Sequence, residues 1–150
     1  MRIALYLLIL LSATVFMEFF AWFMHKYVMH GFLWSLHEDH HHPKKRGLEK
    51  NDLFTLFFAS IAVFLCAFGG LRGIWPMLFA GLGVTLYGLG YFLFHDILFH
   101  RRLRFLKLKA DTRYLRRIVN AHAVHHQKTK NRDNGISFGF LYAQSKYDVG

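Results

Sequence analysis

The sequence predicts an all-α protein, a multi-pass membrane bundle with a histidine-rich site for two metal ions at its cytoplasmic face. Apolar residues make up 54% of the 150-residue chain, yet its formal net charge is +10. The two facts are compatible because the apolar residues form long runs and the charges lie between them. The eleven histidines also lie mostly between the runs, in four clusters. We expect a single integral-membrane domain over residues 1–150.

Three apolar runs, at residues 3–24, 53–71 and 75–94, are predicted to span the membrane. At a rise of about 1.5 Å per residue, such runs match a hydrocarbon core of roughly 30 Å. The glycine-rich turn before Pro76 makes the second and third a helical hairpin. The first run is too long for a cleaved signal peptide and leads straight into the first histidines. Residues 138–143 are too few to span, and we expect a fourth, interfacial segment there.

The positions of Lys and Arg predict the orientation of these spans. Five lie within residues 25–52 and twelve after residue 100, whereas Arg2 and Arg72 alone lie at the other ends of the helices. Positive residues favour the cytoplasmic side, so we expect the histidines at the cytoplasmic side of the cell inner membrane. The basic run after residue 100 suits anionic lipid headgroups or an acidic electron donor. No nucleic-acid-binding motif accompanies it.

Ten of the eleven histidines repeat one pattern twice, H-x4-H followed by H-x2-H-H. The four histidine boxes are residues 25–30, 37–41, 95–100 and 122–126. Imidazole is the commonest metal ligand among side chains, and ten exceed what one ion can use, so the repeat predicts two ions. The predicted ligands are His25, His30, His37, His40, His41, His95, His100, His122, His125 and His126. The lone Cys66 excludes a disulfide or a cysteine-based site within the chain.

The two spacings impose different geometry. The three rings of H-x2-H-H fall within about 100° of helical arc, so His37, His40 and His41 share one face. Residues five apart are about 140° apart on a regular helix and cannot face one ion. We therefore expect each H-x4-H pair, ending at His30 or His100, to lie where a membrane helix ends or distorts.

Several polar residues are candidates to support the ligands. A metal-bound histidine usually donates its second ring N–H to an acceptor. Glu38, Asp39 and Asp96 each adjoin a predicted ligand, although solvated surface charges are the alternative, and Asn120 is a weaker candidate. Glu18 lies inside the first span, where an ionisable group indicates function by default. It could hydrogen-bond a ligand, line a substrate channel, or pair with Tyr6, Thr14 or a polar group of another helix.

Small residues form two stripes on the third apolar run. Gly81, Thr85 and Gly88 form one, and Gly83 and Gly90 form the other. Close helix packing is the favoured interpretation. A groove for a rigid substrate is the alternative.

The histidine boxes and the residues between them resemble the bacterial β-carotene hydroxylase family. That family belongs to the fatty acid hydroxylase and sterol desaturase superfamily of membrane di-iron enzymes. The similar segments are FMHKYVMHG at 23–31, HEDHH at 37–41, NDL at 51–53, FHDILFHRR at 94–102, HAVHH at 122–126 and SFGFL at 137–141. The boxes alone indicate only the superfamily. The residues between them and the short chain indicate the carotenoid branch.

The resemblance implies a non-haem di-iron monooxygenase of carotenoid biosynthesis. Such an enzyme uses O2 to hydroxylate C3 and C3′ of β-carotene, taken from the lipid phase, and forms β-cryptoxanthin and then zeaxanthin. The resemblance implies two iron ions on the ten paired histidines, with no catalytic residue beyond the metal centre. It also implies a ferredoxin-type electron donor with an NAD(P)H-dependent reductase. His42, where the family often has Arg, is left outside the ligand set.

Two hypotheses compete with this interpretation. One is another oxygenase of the superfamily that acts on fatty acyl chains or sterols. The other is a metal carrier or haem-binding membrane protein without catalysis. Haem needs one or two axial histidines, and transport ligands are expected near the bilayer midplane. Both features disagree with ten histidines at a membrane surface.

Overall fold

The computed structural model describes residues 2–42, 47–103, 105–127 and 140–148, and every regular element in these ranges is helical. The α-helices are α1 (Arg2–Phe23), α2 (Trp34–His41), α3 (Asp52–Leu71), α4 (Trp75–Tyr91) and α5 (Arg113–Gln127). Two π-helical stretches continue α1 and α4, which we name the α1 extension (Met24–Phe32) and the α4 extension (Phe92–Phe99). A short 3-10 turn covers Ser145–Tyr147.

Three helices are long and apolar enough to cross a membrane, namely Arg2–Phe32, Asp52–Leu71 and Trp75–Phe99. This result confirms the predicted all-α, multi-pass architecture. The first and third run beyond their predicted ends because the π-helical extensions continue them. Large apolar side chains cover the outer faces, as in Val15 (67% exposed) and Phe64 (58% exposed). Such faces are suited to lipid, because lipid chains are as apolar as these side chains.

The three long helices pack at close quarters where α4 meets its neighbours. A Cβ added to Gly81 would lie 2.8 Å from the Cys66 sulfur, and one on Gly83 would collide with the carbonyl oxygen of Leu10. Glycine lets the backbones approach to this distance. The packing interpretation is therefore confirmed at Gly81 and Gly83.

The hairpin between α3 and α4 is closed by a glycine turn. Gly73 adopts a φ of +67°, which L side chains rarely adopt. The N–H of Ile74 donates to the carbonyl of Gly69 at 2.8 Å, which satisfies one of the last carbonyls of α3. Pro76 lies in the first turn of α4, where its missing N–H costs nothing.

The last described segment, residues 140–148, returns into the bundle. Phe140 and Ala143 are buried, at 5% and 2% exposure, whereas Leu141 and Tyr142 are exposed. Phe140 and Ala143 therefore pack against the bundle, and the interfacial position expected for 138–143 stays a prediction. The ring of Phe140 occupies space against Gly90, where a Cβ would collide with it. Residues 138 and 139 lie outside the described ranges.

Candidate metal centre

His25 and His30 lie on the α1 extension, whereas His95 lies on the α4 extension and His100 directly follows its end. A π-helix closes its hydrogen bonds between residues i and i+5, which brings residues five apart onto one side. The Nε2 atoms of His25 and His30 are 3.3 Å apart, and the ring centroids of His95 and His100 are 4.6 Å apart. Gly31 then leaves the helical region altogether. The helix distortion expected from the spacing is therefore present at both pairs, in the form of a widened helix.

One nitrogen from each of five histidines converges to form what we name the first cluster. Its members are His25, His30, His37, His41 and His125, whose ligand atoms all lie within 4.8 Å of one another. The Nε2 atom of His37 is 3.2 Å from that of His25 and 3.2 Å from that of His41. Metal–nitrogen bonds of about 2.0–2.1 Å place neighbouring ligand nitrogens roughly 3.0–3.4 Å apart. The first cluster therefore has the donor type and the spacing to hold a metal ion.

Four further histidines form the second cluster. They are His40, His100, His122 and His126, again with ligand atoms within 4.8 Å of one another. The Nε2 atoms of His40 and His126 are buried without a hydrogen-bond partner among the described residues. An unpartnered buried nitrogen costs free energy, and a bound metal would remove that cost. The second cluster also fits a metal ion.

His95, the tenth predicted ligand, adjoins the second cluster. Its ring centroid is 4.8 Å from that of His40, 4.6 Å from that of His100 and 5.1 Å from that of His122. Its Nδ1 faces Asp96, which leaves Nε2 as the nitrogen available to a metal. His42 is exposed and belongs to neither cluster. The sequence could not divide the histidines in this way, because α2 and α5 each contribute to both clusters.

Burial keeps the cluster histidines unprotonated. It lowers the pKa of His37 to about 4, that of His100 to about 3, that of His126 to about 3 and that of His125 to about 2. Repulsion by neighbouring histidines lowers each of these pKa values further. Only the neutral imidazole binds a metal, so protons compete weakly for these ligands near neutral pH.

Two acceptors from the loop before α3 select the ring nitrogen that faces each cluster. Nδ1 of His37 donates to Oδ1 of Asn51 at 2.7 Å, and Nδ1 of His40 lies 2.8 Å from Oε2 of Glu49. A neutral ring that donates from Nδ1 has its lone pair on Nε2, and both Nε2 atoms belong to the cluster side. Sequence reasoning missed these roles, although Asn51 lies in one of the family-like segments.

Among the predicted supporting residues, Asp96 contacts a histidine, with Oδ1 3.2 Å from Nδ1 of His95. The other three, Glu38, Asp39 and Asn120, hydrogen-bond no histidine among the described residues. Glu38 is exposed, Asp39 accepts from the backbone N–H of Lys50, and Asn120 donates to the carbonyl of Tyr147. Neighbours on a helix point about 100° apart, so Glu38 and Asp39 diverge from the ligands beside them.

The intramembrane Glu18 is also corrected as a ligand partner. Its carboxylate accepts hydrogen bonds from the hydroxyl of Tyr87 and from the backbone of residues 140–142. Thr14, another partner considered for it, instead donates to the carbonyls of Leu10 and Gly83. Glu18 therefore hydrogen-bonds groups inside the bundle and not a predicted metal ligand.

An apolar cavity of about 310 Å³ leads from the bundle to the clusters. Its walls include Met17, Ala21, Phe54, Phe58, Val84, Tyr87 and Tyr91, and it also meets His25, His95, His122 and His125. Gly88 lines it and is exposed, with no atom of another element within 4 Å of where its Cβ would lie. Packing does not account for Gly88. The substrate groove therefore stays a prediction at Gly88, whereas close packing is confirmed at Gly81.

Comparison with known proteins shows which family the chain matches. Residues 10–143 match the fatty acid hydroxylase family. The β-carotene hydroxylase of Pseudescherichia vulneris is 44% identical over 142 residues, which cover 95% of this chain and 79% of that protein. That of Pantoea ananas is 41% identical, over 91% of this chain and 76% of that protein. The chloroplastic β-carotene 3-hydroxylase 1 of Arabidopsis thaliana is 38% identical, over 93% and 45%. No solved structure matches significantly.

Proposed function

The chain belongs to the fatty acid hydroxylase family, and we propose that it is a β-carotene 3-hydroxylase. It would hydroxylate C3 and C3′ of the β-ionone rings with O2 and form β-cryptoxanthin and zeaxanthin. The observation that carries this proposal is an apolar cavity that ends at histidines of both clusters. The identity to bacterial and plant carotene hydroxylases supports the same substrate.

Two iron ions would be the resident metals. The first cluster would hold one, and the second cluster with His95 would hold the other. Non-haem iron with open coordination positions supplies the oxidising power that an unactivated C–H bond requires. The chain itself supplies neutral imidazoles only. Asn51, Glu49 and Asp96 orient three of them by accepting their second ring N–H groups.

The cavity would bind the β-ionone ring of the substrate. Its walls are aliphatic and aromatic, so it accepts an apolar ring and excludes bulk water from the reacting carbon. Thr85 and Gly88 line it and are exposed on the face of a spanning helix. A carotenoid can therefore enter from the lipid phase and leave its polyene chain between helices.

Electrons would come from a ferredoxin-type donor and its NAD(P)H-dependent reductase. The basic residues at the histidine end of the bundle support this, because an acidic donor is steered by positive charge. Arg101, Lys107, Lys109 and Arg116 are exposed there. The same charge bias supports a position in the cell inner membrane with the clusters on the cytoplasmic side. The whole chain would act as one domain.

Pigment analysis in a host that accumulates β-carotene tests this function. We expect β-cryptoxanthin and zeaxanthin to appear on expression. No hydroxylated carotenoid from well-expressed, iron-loaded protein would refute it. Hydroxylated fatty acyl chains or sterols in the same cells would support the other oxygenase class instead. Purified protein should take up two irons after anaerobic reconstitution, and a haem Soret band would contradict the metal assignment.

A further inference from the structure

Glu18 has four hydrogen-bond donors around one carboxylate inside a membrane span. Oε2 accepts from the hydroxyl of Tyr87 at 2.9 Å and from the N–H of Phe140 at 3.0 Å. Oε1 accepts from the N–H groups of Leu141 at 2.9 Å and Tyr142 at 3.1 Å. Successive backbone N–H groups of this kind form an anion-binding nest. They satisfy a carboxylate that would otherwise be costly at this depth.

The segment held by Glu18 inserts an aromatic ring into the bundle. The ring of Phe140 lies 5.0 Å from that of Tyr87 and 5.0 Å from that of Phe94, centroid to centroid. It fills the space that Gly90 leaves open, because any Cβ there would collide with it. The Glu18 carboxylate therefore binds the backbone of residues 140–142, and the space at Gly90 accommodates the ring of Phe140.

A stack of rings connects Phe140 to the metal centre. Tyr91 lies beside Phe140, with centroids 6.4 Å apart, and stacks on His95 at 4.5 Å with an interplanar angle of 19°. His95 in turn stacks on His40 at 4.8 Å and 23°. His95 is therefore packed between an aromatic ring and a histidine of the second cluster. Tyr91 thus contacts both Phe140 and His95.

We propose that Glu18 is a positioning residue for the metal centre. It anchors residues 140–142 inside the bundle, and through Phe140 and Tyr91 the anchored segment holds His95 beside the second cluster. The anchor stands on the hydrogen bonds alone. The effect on His95 rests on the proposed function, because it presumes iron at the second cluster.

Hydrogen–deuterium exchange of the purified protein in lipid nanodiscs, with or without iron, tests the anchor. Glu18→Leu removes every acceptor, and Glu18→Gln keeps one carbonyl oxygen and places an NH2 group against N–H donors. We expect the amides of 140–142 to exchange at least about tenfold faster in Glu18→Leu, with Glu18→Gln intermediate. Thr14→Val is the control, since it removes a hydrogen bond between α1 and α4 one turn away. Unchanged exchange in both Glu18 variants would overturn the anchor.

Iron content of the same proteins tests the effect on His95. Phe140→Ala keeps the backbone N–H groups, so it should leave 141 and 142 protected and yet lower iron at the second cluster. Both Phe140→Ala and Glu18→Leu should hold less iron than Thr14→Val and show an altered iron Mössbauer spectrum. Full iron and an unchanged spectrum in Phe140→Ala would overturn the positioning role. If the wild-type protein bound no iron, the proposed function would fail while the exchange experiment still judged the anchor.

Discussion

Arg102 and Asp52 form a two-pronged ion pair across 50 residues of sequence, with Nη1 2.7 Å from Oδ1 and Nη2 2.8 Å from Oδ2. Nη2 also donates to the carbonyl of Gly47 at 3.0 Å. The loop fastened in this way carries Glu49 and Asn51, the acceptors for one histidine of each cluster. One arginine after the α4 extension therefore stabilises the surroundings of both clusters.

Replacing Arg102 should weaken iron binding at both clusters. Loss of a supporting residue typically lowers metal affinity about 10–100-fold, and Arg102→Ala releases the whole loop. Arg102→Lys keeps the charge but cannot make both hydrogen bonds in one plane, so it should recover only part of the affinity. The rate of iron loss to a chelator measures this.

Arg113→Ala is the matched control for Arg102. Arg113 also pairs with a carboxylate, Asp148, but its side chain is 78% exposed and such pairs contribute little. Iron loss from Arg113→Ala should match the wild type. Equal rates for the two alanine variants would show that the loop does not depend on Arg102.

Asn51 and Glu49 should affect the two clusters separately. Asn51→Ala removes the acceptor of His37 and should weaken iron at the first cluster by about tenfold or more, whereas Glu49→Ala should do so at the second. Asn51→Asp and Glu49→Gln keep an acceptor oxygen and should retain most of the affinity. Iron titration followed by Mössbauer spectroscopy distinguishes the sites. The same signal lost in both alanine variants would contradict the division of histidines.

Ligand replacement should abolish activity without preventing membrane insertion. His40→Ala opens the second cluster, and His125→Ala opens the first. Neither side chain lies in the middle of a span, so both proteins should still reach the membrane fraction. His42→Ala is the control, because that exposed ring lies outside both clusters. Zeaxanthin formation measures the outcome, and turnover retained in both cluster variants would contradict the ligand assignment.

The sequence predicted those features that depend on residue type and local spacing. The histidine repeat predicted the ten ligand candidates, and the impossible angle of H-x4-H on a regular helix predicted a distortion at each pair. The acceptors Glu49 and Asn51 could not be predicted, because an ion pair with Arg102, far along the chain, brings their loop to the site. Glu38 was chosen for adjacency in sequence, but on the regular helix α2 its side chain diverges from His37 and is exposed, whereas Asp96 does contact its neighbour His95.

Removing the metal should destabilise the fold. The clusters hold facing nitrogens at about 3.2 Å that a cation would bridge. A ligand that binds only the folded state stabilises it by RT ln(1 + [L]/Kd), about 2.7 kcal/mol at 100 times Kd. Chelated protein should therefore show a lower Tm, restored by ferrous iron. A Tm unaffected by chelation, with iron loss verified, would show that the clusters do not bind metal in the folded state.

Gly88 should be required for substrate and not for folding. Gly88 and Gly70 are both helical glycines with no atom of another element within 4 Å of an added Cβ, but only Gly88 lines the cavity. A helix is about 1 kcal/mol less stable with glycine than with alanine. Since no other element packs against an added Cβ at either position, packing does not explain either glycine. Gly88→Leu should fill the cavity beside Thr85 and lower β-carotene turnover at least about tenfold, which corresponds to a rise of about 1.4 kcal/mol in the activation free energy. Gly70→Leu should hydroxylate at the wild-type rate, and equal activity of the two leucine variants would place the substrate elsewhere.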